Sequence, residues 1–220
     1  MRSIWIAVLL CALLAGAAPV QAQTAPELAP LRSVRDQYVA TFNGMPLRVC
    51  QTEWASWSRA HGACRDLATL ELPDRQLQAG RLVEFVVFDG MRYERVDDDS
   101  MWTATPDEDF DPDRSLNEAL FRPIYMATLK DIGPAEVGGV AATQYQYWSH
   151  DETLNEISGG QGVFDIFVAA DKRVLKSQFS ARGEIAELGQ GELADIWVYS
   201  DHNAAIDIAP PPSELVRSEP

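Results

Sequence analysis

Two apolar-rich runs, Leu82–Phe88 and Met91–Val96, flank the dipeptide Asp89-Gly90 in RLVEFVVFDGMRYERV. The flanking runs are β-branched and aromatic, and a type I′ turn needs positive φ at both central residues, so this pattern predicts a hairpin with a two-residue loop. That loop would pair Phe88 with Met91, Val86 with Tyr93 and Glu84 with Arg95. One face then holds an aromatic pair and an opposite-charge pair. The other face carries Val83, Phe85, Val87 and Val96, so both faces of the hairpin need cover.

The same alternation recurs along the chain. Leu31 to Phe42 reads as a short helix running into a strand, since Leu31, Val34 and Tyr38 are helically spaced whereas the segment ends in β-formers before Asn43-Gly44. Residues 47–57 and 65–72 read as two strands joined around Ala60-His61-Gly62. Residues 73–80 read as a polar connection, and 101–105 as a return strand carrying Trp102. Ser115-Leu-Asn-Glu118 is a capping box and opens a helix over Ser115 to Lys130 that Pro123 should kink. Beyond Gly133-Pro134 the pattern is β again: 140–149, a hairpin of 163–170 and 174–179 around Asp171-Lys172-Arg173, then 193–199 and a short terminal strand at 205–208. With no repeat or internal linker, the body reads as one domain over 23–212, preceded by a flexible lead-in at 23–30 and followed by a disordered tail at 213–220.

The first residues, MRSIWIAVLLCALLAGAAPVQA, have a basic start, an apolar run and small residues before a cut, with Val20-Gln21-Ala22 fitting a signal-peptidase site. Residues 1–22 are therefore expected to be a cleaved signal peptide. Cys11 lies inside it, and Leu10 before it is too large for a lipobox. The expectation is an exported, secreted or periplasmic protein with no transmembrane segment in the mature chain. Cys50 and Cys64 then remain, and in an oxidising compartment two cysteines most simply form one disulfide. The formal charge of −15 argues against nucleic acid as a partner.

No motif amounts to catalytic or metal chemistry. There is no G-x-S-x-G elbow, and the neighbours Ser200-Asp201-His202 cannot form a triad from one strand, where adjacent side chains point apart. The alternating acids of residues 106–114 lack the EF-hand glycine and glutamate; counted from Asp109 those places hold Arg114 and Leu120. His150-Asp151-Glu152 has no second histidine at ligand spacing, and Gly159-Gly160-Gln161-Gly162 lacks the lysine of a phosphate cradle. The expectation is no enzyme, no cofactor and no metal.

Four segments, in order, carry a resemblance. Val83 to Trp102 (VEFVVFDGMRYERVDDDSMW) resembles a hairpin of the bacterial lipoprotein-carrier superfamily, the LolA/LolB-like and LppX/LprG-like half-barrel proteins. Val137 to Trp148, Asp165 to Phe179 and Tyr199 to Pro211 (YSDHNAAIDIAPP) resemble later strands of the same superfamily. The match spans residues 81–212. It implies an α+β, mostly β fold: an antiparallel curved sheet, or half-barrel, wrapped around a few helices. It also implies a hydrophobic cavity for a lipid, another apolar ligand or the acyl chains of a lipoprotein. From alternation and helix position, the lining residues are expected to be Val86, Phe88, Tyr93, Trp102, Phe121, Tyr125, Tyr147, Phe167 and Trp197. The expected protein is a monomeric carrier. The alternative is a sensory or protein-interaction module of the cell envelope with a filled core.

Overall fold

The computed structural model describes residues 25–72, 75–108, 110–121, 129–149, 162–185 and 188–218. The signal peptide expected at 1–22, the region of Pro123 and Tyr125, and the loop at 150–161 lie outside the described residues.

A single open sheet of twelve strands dominates the fold, and a separate two-stranded hairpin lies beside it. The strands are β1 (Val34–Phe42), β2 (Met45–Ser56), β3 (Arg59–Asp66), β6 (Leu82–Phe88), β7 (Met91–Val96), β8 (Trp102–Pro106), β9 (Lys130–Val137), β10 (Val140–Ser149), β11 (Gly162–Ala169), β12 (Val174–Ile185), β13 (Gly189–Ser200) and β14 (Val216–Ser218). Their order is β14-β8-β7-β6-β3-β2-β1-β13-β12-β11-β10-β9, and β4 (Leu70–Leu72) with β5 (Arg75–Leu77) makes the small hairpin. Among the described residues the one α-helix is α1 (Leu116–Leu120). The expected fold class, a mostly β half-barrel sheet with little helix, is what the chain adopts.

The opening hairpin has the predicted register: Phe88 opposite Met91, Val86 opposite Tyr93, Glu84 opposite Arg95. Asp89 and Gly90 both take positive φ, 47° and 90°. Arg95 Nε donates to Glu84 Oε2 at 2.9 Å, closing the charge pair across the strands.

Several expectations are corrected. Residues 31–42 contain no helix, because Val34, Asp36, Tyr38, Ala40 and Phe42 are buried at strict two-residue spacing, which commits the segment to β1. The turn after β2 is Trp57-Ser58 rather than Ala60-His61-Gly62, which lies within β3. That pairing sets Cys50 directly opposite Cys64, with Cα atoms 4.0 Å apart, and the two are disulfide-bonded. The polar connection at 73–80 contains β5, and the run after the helix contains β9, an edge strand that tolerates Pro134 because no strand follows it in the sheet order. The lead-in is held by Ala29 N donating to Lys172 O and Asn117 Nδ2 donating to Ala29 O, both at 3.0 Å.

At the C-terminus two readings are reversed. Residues 205–208 form no strand, and the tail expected to be disordered folds back to a 3-10 turn (Ser213–Leu215) and β14. There Val216 lies opposite Trp102 in a parallel pair. The reason is burial: Ile206, Ile208, Leu215 and Val216 cover Val86 and Trp102, which would otherwise face solvent.

Candidate ligand-binding face

Registers across the sheet sort side chains onto two faces. One, here the front face, carries Tyr38 with Cys50, Cys64, Trp197 and Ser177, and continues through Ile166 to Tyr145. The back face carries the alternate residues.

The front face is built from two apolar clusters. At one end Val34, Phe121, Leu129, Phe164, Ile166, Val168, Val174 and Tyr199 are buried together. At the other, Tyr38, Ala40, Phe42, Leu47, Cys50, Leu77 and Leu193 pack under the β4–β5 hairpin. That hairpin is anchored through the fully buried Asp66, which accepts Arg48 Nε at 2.6 Å and Gln78 N at 3.0 Å. Trp197 touches both clusters.

α1 supplies cover at the first end. Its capping box is complete: the Ser115 side chain accepts from Glu118 N, and the Glu118 side chain accepts from Ser115 N. This fixes where the helix starts and swings Phe121 against Tyr199, edge to face at 5.1 Å.

Around the first cluster lie large side chains that are only half-buried: Trp54, Trp197, Phe179, Tyr145 and Tyr147. Trp54 stacks on Trp57, with centroids 5.5 Å apart and planes 7° apart, and the Arg114 guanidinium sits over Trp57. Polar groups are set into this aromatic band. Trp54 Nε1 donates to Asp36 Oδ2 at 2.6 Å, and Thr52 also donates to Asp36. Burial pushes the Asp36 carboxyl up to about 6 against the pull of those two hydrogen bonds. Beside it Tyr199 and Ser177 share a 2.9 Å hydroxyl contact, and burial raises the Tyr199 hydroxyl well above its ordinary value. Tyr38 donates to Asp195.

The nine residues proposed from sequence do not form one lining. Phe121, Tyr147 and Trp197 belong to the front face. Val86, Phe88, Tyr93 and Trp102 cluster on the back face beneath Ile206, Ile208, Leu215 and Val216. Phe167 also lies on the back face, near Ala142, Ala169 and Leu175, with the Lys176 ammonium over its ring. Tyr125 falls outside the described residues. Front-face residues that sequence reasoning passed over are Trp54, Tyr145, Phe179 and the Asp36–Tyr199 pair. The alternation of β1 was the available signal for Asp36, since an acid sat in an otherwise apolar register.

Ser200-Asp201-His202 is structural: Asp201 accepts from Arg35, and His202 Nε2 contacts Val174 O at 2.7 Å. Among the described residues no three His, Cys, Asp or Glu side chains are grouped to hold a metal ion, and no helix is long and apolar enough to cross a membrane.

By sequence the chain matches no protein-family model and no curated protein. Its fold has solved counterparts. LprF from Mycobacterium bovis superposes with a TM-score of 0.50 at 14% identity, covering 82% of this chain and 90% of that one. The lipoprotein LppX from Mycobacterium tuberculosis gives 0.45 at 12% identity, covering 81% and 90%. A LolA-superfamily protein from Nitrosomonas europaea gives 0.27 at 10% identity, covering 85% and 90%. The likeness to LprF gives the chain an LprF-like fold, and at this identity it is a likeness of fold alone.

Proposed function

We propose that this chain is an exported, non-enzymatic carrier that holds a lipid or other apolar ligand against the front face of its open sheet. The observation that carries the proposal is the set of half-buried aromatic side chains, Trp54, Trp197, Phe179, Tyr145 and Tyr147, packed around one buried cluster of the front face, with Trp197 reaching the other. Each of these side chains leaves apolar area in contact with water, which a bound apolar ligand would remove. An acyl chain laid across them would complete that burial at about 0.8 kcal/mol per CH₂.

The test is native mass spectrometry of the mature protein, with organic extraction and lipid analysis of the same preparation. Stoichiometric co-purified lipid, or saturable uptake of a fluorescent fatty acid, is expected. Repeated absence of both would overturn the carrier and leave the envelope interaction module.

A further inference from the structure

The two edges of the large sheet are protected in different ways. The β9 edge is blunted: it carries Pro134, a register irregularity opposite Gln144 and Tyr145, and the charges of Lys130, Asp131 and Glu136. The β8 edge, Trp102-Thr-Ala-Thr105, has no proline, charge or bulge before Pro106. Its cover is the C-terminal segment, residues 205–218.

The β14 end of that cover is lightly attached. β14 matches three residues of β8 in parallel, Val216 with Trp102, Arg217 with Thr103 and Ser218 with Ala104, and Thr105 is left beyond the last match. Every other strand pair described in the sheet is antiparallel, and a parallel ladder is less stable per residue. Leu215 and Val216 are half-buried, and Arg217 holds Asp99 through an exposed ion pair at 2.9 Å, an interaction worth little in water. The segment is held by the buried Ile208 and, just before it begins, by hydrogen bonds of residues 203 and 204. There Asn203 N donates to Ser33 O at 2.8 Å, Arg32 N donates to Asn203 Oδ1 at 2.7 Å, and Ser33 Oγ donates to Ala204 O at 2.6 Å.

Beneath it lies a back-face apolar patch, Val86, Phe88, Tyr93 and Trp102, on the side of the sheet away from the proposed lipid site. We propose that this patch and the β8 edge are a strand-accepting docking surface for an extended segment of a partner protein, which the chain's own C-terminus occupies as a built-in competitor. A chain that needed only to hide this edge could blunt it as it blunts β9. It keeps an adhesive edge under a detachable cover instead. The cover also defines the partner's chemistry. Aliphatic side chains at two-residue spacing, as Ile206 and Ile208, fill the patch, and a cation at the second residue of the added strand, as Arg217, reaches Asp99. Because the competitor is tethered, its high effective concentration hides the site from a free peptide until the latch is weakened.

The test uses the full chain and a fluorophore-labelled peptide with the sequence of residues 205–218. Val216→Asp is expected to bind the peptide at least tenfold more tightly than the unaltered chain, Arg217→Ala severalfold more tightly, and neither is expected to bind a scrambled peptide. Equal binding by the variants and the unaltered chain, or none by any, overturns the proposal. Arg217 is exposed, so Arg217→Ala decides the matter if Val216→Asp does not fold. Hydrogen exchange gives a second reading: amides of 216–218 should exchange at least a hundredfold faster than those of β1 and β13, and equal protection would also overturn it. Because the surfaces are on opposite faces, neither result depends on whether lipid is found on the front face.

Discussion

The ring of Phe85 fills the space above Gly62 on the neighbouring strand, so that a Cβ on Gly62 would stand 2.5 Å from Phe85 Cζ and 2.9 Å from Gln51 O. Phe42 covers Gly191 in the same manner. In both places an aromatic ring on one strand takes the side-chain space that its cross-strand glycine leaves vacant. Gly62→Ala should therefore destabilise the fold by about 1–3 kcal/mol, since neither the ring nor the Gln51 carbonyl can yield freely. Phe85→Leu in that background should restore part of the loss, the carbonyl contact remaining. Denaturant unfolding of the two single variants and the double variant measures the coupling.

Asp36 makes the front face sensitive to pH. Its folded-state value of about 6 lies above its ordinary 3.8, so the fold binds a proton that the unfolded chain releases. The stability this group supplies is complete below the unfolded value and is lost as pH rises through about 6. Asp36→Asn keeps an acceptor for Trp54 Nε1 without the buried charge. The stability difference between Asp36→Asn and the unaltered chain should grow between pH 4 and 6 and then level, reaching about 3 kcal/mol at most. His202 acts in the opposite sense. Burial lowers its value, and its Nδ1 is buried with no partner among the described residues, so protonation disfavours the fold and its contribution is lost as pH falls. Thermal unfolding across this range, read as variant minus unaltered chain, isolates Asp36 from His202 and from the surface carboxylates.

The disulfide closes a ring between residues separated by 14 in sequence. For a ring of that size the chain-entropy contribution is about 3 kcal/mol. Cys50→Ala with Cys64→Ala should lower stability by about 2–3 kcal/mol without changing the strand register, because Tyr38, Leu47 and Leu77 still pack around the site. Loss of the native far-ultraviolet circular dichroism in the double variant would instead make the bond a condition of folding.

What the sequence made legible follows from how local the determinants are. The β6–β7 register could be read from Asp89-Gly90 alone, because a two-residue loop leaves one pairing. The capping box at Ser115 was legible for the same reason. Which face each strand turns inward is decided by distant partners, and there the reading divided. Phe88 and Phe167 look as apt for a lining as Tyr147, yet both stand on the back face. Residues 213–218 escaped because a polar stretch after three prolines resembles a loose tail, whereas their order comes from Leu215 and Val216 meeting Trp102, some hundred positions away. Residues 31–42 read as part helix because Leu31, Val34 and Tyr38 happen to be helically spaced.

Tyr147 and Phe167 provide a matched test of which face holds the ligand. They stand on adjacent strands of one hairpin, both aromatic and both half-buried, but on opposite sides of the sheet. Tyr147 lies 5.9 Å from the ring of Phe164 within the front cluster, and Phe167 packs beside Ala142 and Leu175 under Lys176. If an apolar ligand rests on the front face, Tyr147→Ala removes contact area from it and should weaken fatty-acid uptake by roughly ten- to thirtyfold, the equivalent of about 1.5–2 kcal/mol. Phe167→Ala should lose comparable folding stability and leave uptake within twofold. Fluorescent fatty-acid titration of both variants, paired with their unfolding curves, separates loss of ligand contact from general loosening. Equal weakening by the two substitutions would mean that uptake follows stability and not the front face.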